Sequence, residues 1–172
     1  MEKFFEHYFD RVHDYLRRMF QDPVDADDTL QETFLRVSRN LERIEPERDP
    51  TGWVFRIATN AMHDHWRART RGARGLESDF DSAWNTAPPD PAENAQERLE
   101  REEDTALVQR ALERLSAADR EIVLLRDYEE LSTAEIGVSL GLARDAVRQR
   151  HSRAVRRLGQ SYAKLRGEEG SS

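Results

Sequence analysis

Basic and amide side chains that could contact DNA are concentrated between residues 144 and 157. A narrow stripe in this segment repeats at i, i+4, i+7 and i+11, which predicts a helix with one buried face. The stripe consists of Val147, His151, Ala154 and Leu158. The other faces carry Arg144, Arg148, Gln149, Arg150, Ser152, Arg153, Arg156 and Arg157. Because arginine pairs well with guanine or phosphate and glutamine with adenine, these residues predict binding to duplex DNA.

A short helix and a turn are predicted immediately before this basic helix. Ser132 is a good N-cap, and Glu135 three residues later completes a capping box. Gly141 stands where a tight turn would need a positive φ angle. A short helix, a glycine turn and a basic second helix together form the helix-turn-helix pattern, whose second helix enters the major groove.

The net charge of −7 is distributed unevenly along the 172 residues. Residues 144–172 contain eight basic and three acidic side chains, and residues 56–75 contain five basic and one acidic. Between these segments, residues 76–104 contain ten acidic and only two basic side chains. Local positive charge steers a protein toward phosphate, so the acidic total does not argue against DNA binding.

The second basic segment is predicted to be a helix from Thr51 to about Arg71. It combines Trp53 and Trp66 with several arginines, a mixture that suits melted nucleic acid because rings stack on bases while arginines follow the phosphates. The alternative is that the tryptophans are core residues, and for Trp53 we favour that interpretation.

Two further helices are predicted before residue 41. The first, residues 3–20, has an apolar stripe that we expect to be core: Phe5, Phe9, Val12, Leu16 and Phe20. Asp22-Pro23 then starts a second helix that runs to about Asn40. Its outward residues, which form either a solvated face or a docking face for a basic partner, are Asp25, Asp27, Asp28, Gln31, Glu32 and Arg36.

The middle of the chain predicts a linker between two all-α domains. Residues 73–100 are acidic and contain the structure-breaking residues Gly75, Pro88, Pro89 and Pro91, which predicts a flexible linker in which helical signal returns near Ala95. Helices are expected at 94–115 and 117–127, with Ser116 as a cap. We therefore predict a domain over 1–72, a four-helix domain over 101–166 and a disordered tail over 167–172.

Composition excludes several classes of function. The chain has no cysteine, so it can form neither disulfides nor thiolate metal sites, which fits the cytoplasm. No apolar run reaches the ~20 residues that span a bilayer, and no signal-peptide core precedes the first helix. His63, Asp64 and His65 could suggest a metal-dependent hydrolase, but His63 and His65 should point to different sides of a helix. We therefore expect no catalytic residues, no metal and no cofactor.

Three segments, in this order and spacing, resemble the extracytoplasmic-function (ECF) sigma factors of the sigma-seventy superfamily. DADDTLQETFLRV, residues 25–37, is similar to the helix with which the family binds core RNA polymerase. GWVFRIATNAMHDHWRARTR, residues 52–71, is similar to the helix that melts the promoter and reads its minus-ten element. RALERLSAADREIVLLRDYEELSTAEIG, continuing to Arg157, is similar to the domain that binds the minus-thirty-five element.

The resemblance implies roles for individual residues. The positions that match polymerase-binding ones are Asp25, Asp28, Gln31 and Glu32. Those assigned to minus-ten DNA are Ile44, Arg56, Asn60, His63, Arg67 and Arg71. Asn60 matches a position in the pocket for a flipped base, which the loop that follows Ile44 shapes. Those assigned to minus-thirty-five DNA are Arg144, Arg148, Gln149, Arg150, Ser152, Arg153 and Arg156.

The resemblance also implies partners: core RNA polymerase, promoter DNA and an anti-sigma protein, with no membrane insertion of the chain itself. Some positions depart from the family's pattern, including Gly137, Ala143, Ala146 and His151, so the base preferences of relatives do not carry over. We expect His151 to be a satisfied histidine at the edge of the core. A helix-turn-helix regulator with residues 1–71 as a sensor domain remains the alternative, and the acidic helix from Asp25 to Val37 discriminates the two.

Overall fold

The computed structural model describes residues 2–43, 49–72 and 95–169, which form α-helices and contain no β-strand within those ranges. The helices are α1 (Glu2–Met19), α2 (Pro23–Arg39), α3 (Thr51–Gly72), α4 (Ala95–Glu113), α5 (Ala117–Val123), α6 (Thr133–Leu140) and α7 (Arg144–Glu169). A short 3₁₀ turn, Leu41–Arg43, follows α2, and a π-helical turn, Leu124–Tyr128, follows α5. The predicted all-α class is confirmed.

Capping residues and apolar helix faces determine the structure of the first half of the chain, α1 to α3. The Asp22 carboxylate caps α2 by accepting a hydrogen bond from the Val24 amide at 2.9 Å, with Pro23 as the first helical residue. The Asp49 carboxylate accepts one from the Thr51 amide at 3.0 Å where α3 begins. These caps fix where the helices start, and their apolar faces then pack around Leu16, Phe55 and other buried residues.

The buried face of α1 is broader than the periodicity predicted. Val12, Leu16 and Phe20 are buried as expected, but Phe9 is 48% exposed. A second stripe of Tyr8, Val12, Tyr15 and Met19 is buried as well. Tyr15 is buried because α1 also contacts the second half of the chain, which a local pattern does not reveal.

The second half, α4 to α7, contains the predicted helix-turn-helix. Ser132 and Glu135 form the complete capping box at the start of α6, and Gly141 adopts φ = 66° at its end. The Ser116 hydroxyl caps α5 by accepting a hydrogen bond from the Asp119 amide. Val147 and Ala154 of α7 face the core, and α7 packs along α4 and α5.

Two helix ends differ from the sequence prediction. α4 begins at Ala95, close to the predicted start at 94, so residues 95–100, which were also counted in the predicted linker, are helical. α7 continues to Glu169, three residues into the predicted disordered tail. The helix predicted over 117–127 changes at Leu124 into a π-helical turn. Ile44 and residues 73–94 lie outside the described residues.

The two halves of the chain share one hydrophobic core. Val12 and Phe55 from the first half and Ile122 and Ile136 from the second belong to the same buried cluster. α3 packs against α6, and α1 contacts α5. The helix-turn-helix therefore rests on the first half rather than standing apart from it.

Candidate nucleic-acid and protein interfaces

One face of α3 carries the residues that the sequence assigned to minus-ten DNA. Arg56, Asn60, His63, Arg67 and Arg71 follow one another at helical spacing and so share this face. The side chains of Arg56, Asn60, Arg67 and Arg71 are exposed, and His63 is half-buried. The structure thus brings five of the six predicted residues together, and the sixth, Ile44, is not described.

His63 and Arg67 on this face already have partners within the protein. His63 Nε2 lies 3.0 Å from one carboxylate oxygen of Glu121, on α5. The hydrogen bond to Glu121 raises the pKa of His63 above its usual value, while partial burial opposes the rise. Arg67 donates to the backbone carbonyl of His63 and lies 3.4 Å from Asp64.

The two tryptophans of α3 contact the core. Trp53 and Trp66 are half-buried and pack against the main apolar cluster, and the Trp66 ring lies edge-on to Phe20 with their centroids 5.7 Å apart. This arrangement supports the core interpretation that we favoured for Trp53 and extends it to Trp66.

His63 and His65 point to different sides of α3, as their spacing predicts. His65 Nε2 lies 3.1 Å from a carboxylate oxygen of Asp25 on α2, whereas His63 contacts α5. Among the described residues, no group of three or more His, Asp or Glu side chains is placed to hold a metal ion.

The outward face of α7 carries the residues assigned to minus-thirty-five DNA. Six of the seven are exposed, and Arg150 is half-buried. Arg148 pairs with Asp145, which holds its guanidinium group close to the start of the helix. Arg153 donates to the Gln149 carbonyl at 3.3 Å. The structure therefore leaves six of the seven predicted side chains exposed on α7, the second helix of the helix-turn-helix.

Val155 is a residue of this face that sequence reasoning missed. Its side chain is 42% exposed, three residues after Ser152 and seven after Arg148. An exposed aliphatic group on a basic reading face can contact a thymine methyl group. The available signal was that Val155 does not fall on the buried stripe of its helix.

Two polar residues of α7 bind the protein itself. His151 Nε2 lies 2.7 Å from a carboxylate oxygen of Asp127, which ties α7 to the π-helical turn. This contact agrees with the expectation of a satisfied histidine at the edge of the core. Arg157 is exposed, but it pairs with the mostly buried carboxylate of Asp119 on α5 and so ties α7 to α5.

The acidic residues of α2 divide into two groups. Asp28 and Gln31 are exposed, and Glu32 is half-exposed with its carboxylate 2.7 Å from Arg36. Asp25 instead faces α3, where it pairs with Arg69 and His65 and keeps only 16% of its side chain exposed. Three of the four predicted polymerase-binding residues therefore form one surface, and Asp25 supports the packing of α2 on α3.

An apolar groove lies between α1 and α2, beside this surface. It encloses about 690 Å³, and its lining includes the partly exposed side chains Phe5, Phe9, Phe34 and Leu35 next to Gln31. Phe9 and Leu35 keep nearly half of their surface exposed, 48% and 47%. Exposed aromatic surface beside polar side chains is typical of a protein-binding site.

Comparison with known families agrees with this arrangement. Residues 4–72 match the family described as Sigma-70 region 2, and residues 105–158 match Sigma-70, region 4. The chain is similar to an RNA polymerase sigma-E factor of Streptomyces coelicolor, with 32% identity over 83% of this chain and 74% of that protein. It is also similar to the ECF RNA polymerase sigma factor SigL of Mycobacterium tuberculosis, with 34% identity over 84% and 78% of the two chains.

The chain belongs to the ECF sigma factors of the sigma-seventy superfamily, the initiation factors that direct RNA polymerase to promoters. We call its first half, residues 1–72, region 2 and its second half, from α4 onward, region 4. The sequence-based assignment to this family is confirmed.

Solved structures share the fold. The sigma factor RpoE in complex with the anti-sigma factor NepR from Bartonella quintana superposes with a TM-score of 0.70 at 19% identity, covering 93% of this chain and 94% of that one. CnrH in complex with the cytosolic domain of CnrY gives 0.60 at 25% identity, covering 92% and 84%. In the described part of this chain, none of the helices has the length and apolar character needed to cross a membrane.

Proposed function

We propose that three surfaces divide the work of a sigma factor: α2 binds core RNA polymerase, α3 reads and melts the minus-ten element, and α7 reads the minus-thirty-five element. The observation that carries the proposal is that most of the predicted polar residues on each of these helices are exposed, with Asp25 as the exception that faces α3 and with His63 and Arg150 half-buried. The assignment uses residues 1–72 and 101–166 as the two functional domains, joined by the linker 73–100.

The polymerase-binding surface would consist of Asp28, Gln31 and Glu32. These two carboxylates and one amide lie within five consecutive residues of the helix. They could bind a partner surface that is basic and offers hydrogen-bond donors. Asp25 would act indirectly, because its pairs with Arg69 and His65 fix α2 against α3. The neighbouring groove with Phe9 and Leu35 adds apolar area to this surface.

The minus-ten surface would use the α3 stripe. Asn60 is exposed in its middle and offers both a hydrogen-bond donor and an acceptor, as reading an unpaired base edge requires. Arg56, Arg67 and Arg71 flank it and would follow the phosphates of the strand. Ile44 would contribute to the base pocket.

The minus-thirty-five surface would use the outward face of α7. Arg148, Gln149 and Ser152 would read base edges, and Arg144, Arg150, Arg153 and Arg156 would bind bases or phosphates. A sigma factor performs no reaction of its own, so this chain would have no catalytic residue. It would act in the cytoplasm, at the nucleoid when bound to polymerase, and an anti-sigma protein would restrain it.

The test is run-off transcription with the purified chain, bacterial core polymerase and a genomic promoter library. Initiation at specific sites only when the chain is present supports the proposal, and the sequenced products give the promoter motif. Asp28→Arg, Asn60→Ala and Arg148→Ala should each reduce initiation, whereas Glu102→Gln on the exposed side of α4 should not. Duplex binding without any initiation would instead favour the simple helix-turn-helix regulator.

A further inference from the structure

A polar cavity of about 400 Å³ lies on region 4, between the turn that joins α4 to α5 and the second half of α7. Its lining includes three cationic side chains, Arg114, Arg157 and Lys164, and one carboxylate, that of Asp119. The chain as a whole has a net charge of −7, so this lining is locally positive on an acidic protein. The cavity is distinct from the surfaces assigned above to polymerase and promoter DNA.

Arg157 is oriented at the cavity by a carboxylate behind it. Its guanidinium group pairs with Asp119, whose side chain is only 9% exposed, while the Arg157 side chain remains 59% exposed. The inner part of the guanidinium group can therefore keep this pair while the outer part binds an anion. An oriented, planar guanidinium group suits the oxygens of a phosphoryl group because it can donate two parallel hydrogen bonds.

The opposite wall of the cavity, the turn between α4 and α5, is fixed by Arg120. Its guanidinium group donates to the backbone carbonyls of Glu113 and Leu115, at 2.9 and 3.3 Å. These bonds hold the backbone on both sides of Arg114. Arg114 itself lies 3.5 Å from the Glu168 carboxylate, and the two side chains are 42% and 49% exposed. An exposed pair of this kind contributes little to stability, so Arg114 can exchange it for a bound anion.

Three further polar side chains of the lining have no partner within the protein. Gln160, Ser161 and Lys164 line the cavity, and within the described part of the chain their side chains form no hydrogen bond or ion pair. An amide, a hydroxyl and an ammonium group can all donate hydrogen bonds, so together they match a ligand that is rich in acceptor oxygens. A cavity with a few convergent polar groups is the usual form of a small-molecule site.

We propose that this cavity binds a small phosphorylated molecule. Arg114, Arg157 and Lys164 neutralise its phosphoryl groups, and Gln160 and Ser161 donate hydrogen bonds to the remaining oxygens. Three cations suit a diphosphate better than a single phosphate, because a diphosphate carries more negative charge and more acceptor oxygens. The volume of about 400 Å³ lies in the range that is usual for small-molecule sites.

The position of the cavity on α7 favours a small ligand over the phosphates of the minus-thirty-five duplex. Arg157 is nine residues after Arg148, the residue proposed to read a base. At about 100° and 1.5 Å per residue, Arg157 is rotated by roughly 180° from Arg148 and lies about 14 Å further along the helix. Ligand binding at the cavity is therefore independent of the proposed promoter contacts.

The two lysines of the chain, Lys3 and Lys164, provide a direct test. Lys3 is on α1, outside the cavity. When the full chain is produced with isotope-labelled lysine, its two side chains give separate NMR signals, and Lys164→Gln identifies the Lys164 signal by removing it. Inorganic pyrophosphate is then titrated in at constant ionic strength, which is kept with potassium chloride. The Lys164 signal should shift along a saturating curve while the Lys3 signal stays in place.

Arg114→Gln measures the contribution of the second cation, and Arg98→Gln at an exposed position of α4 is the charge-matched control. We expect the dissociation constant for pyrophosphate to rise about tenfold in Arg114→Gln, because a charge-assisted hydrogen bond is lost, and to stay unchanged in Arg98→Gln. Circular dichroism checks that every variant is helical. An equal weakening in both variants would indicate non-specific attraction of anions and would overturn the site.

A Lys164 signal that does not move, or that moves together with the Lys3 signal, would also refute the proposal. The same titration with a DNA duplex separates the two sources of phosphate. If the duplex shifts the Lys164 signal and pyrophosphate does not, the cavity belongs to a DNA-binding surface and the small-ligand site falls. If pyrophosphate shifts it and the duplex leaves it in place, the cavity is a ligand site separate from DNA binding.

Discussion

His63 of the proposed minus-ten helix lies 3.0 Å from Glu121, a 4% exposed carboxylate in the other half of the chain. The pair connects a residue assigned to DNA with the packing that holds region 4 in place. Its strength depends on the protonation of His63, because only the imidazolium forms an ion pair with the carboxylate.

The packing of region 4 on region 2 should therefore weaken as the pH rises. The hydrogen bond to Glu121 raises the pKa of His63, with Asp64 adding to the rise and burial and Arg67 opposing it. Because the pKa of His63 is higher while it is bonded to Glu121, the stabilisation is full below the ordinary value of 6.5 and is lost as the pH passes the raised value. Energy transfer between dyes placed at Ser38→Cys on α2 and Ala163→Cys on α7 should decrease as the pH rises from below 6.5 through the raised pKa of His63. His63→Gln should remove most of this dependence, and a variant with the wild-type profile would contradict the assignment.

Polymerase binding should depend on the exposed part of the α2 surface. Asp28→Arg places a positive charge where a basic partner is expected, and like charges across an interface cost several kcal/mol. We expect affinity for core polymerase to fall at least tenfold in a fluorescence titration. Glu32→Arg should act in the same direction, although it also frees Arg36, which bridges Glu32 and Asp64. Asp10→Arg on α1 is the charge-matched control, and an equal loss there would indicate a purely electrostatic effect of net charge.

Sequence discrimination at the minus-thirty-five element should depend on Arg148. If its guanidinium group reads a guanine bidentately, Arg148→Ala costs about 1–3 kcal/mol and relaxes the preference at one position. Lys164 lies on the same helix but is rotated by roughly 160° from Arg148 about the helix axis. Lys164→Ala should therefore leave the preference unchanged. Binding to a library of duplexes separates the two roles, since an equal loss on every duplex would make Arg148 a phosphate contact.

Helix α6 should not tolerate a larger residue at position 137, where it faces the turn that follows it. A Cβ atom on Gly137 would lie 2.6 Å from the Leu142 carbonyl oxygen, which belongs to the backbone and cannot rotate away. Gly137→Ala should lower the free energy of unfolding by about 1–3 kcal/mol. Gly159→Ala on α7 meets nothing within 4 Å and should raise it by about 0.5–1 kcal/mol. Urea unfolding of both variants gives the comparison, and equal effects would refute the steric argument.

Local sequence signals predicted the helices and their caps well. Asp22, Ser116 and Ser132 cap the helices that their positions indicate, and Gly141 has the positive φ angle that the turn requires. These features depend on hydrogen bonds between residues a few positions apart, so they can be predicted from the sequence. The shared faces of α3 and α7 follow from helical spacing in the same way.

Contacts between distant residues could not be predicted from the sequence. Asp25 has the same residue type as Asp28, but only the packing of α3 makes it pair with Arg69 and His65. The π-helical turn at Leu124–Tyr128 and the positive φ of 58° at Glu130 carry no local signal, since neither involves glycine. Both adjoin Glu129, the carboxylate that Arg11 contacts, and so belong to the packing between regions.

The larger hydrophobic cluster contains residues of both regions, so we expect them to unfold cooperatively. Residues from α1, α3, α5 and α6 belong to the same buried cluster, so heating the chain should produce one calorimetric transition rather than two. A ligand that binds folded region 2 would then also stabilise region 4 by mass action, without contacting it. The melting temperature of the whole chain thus reports binding at either region.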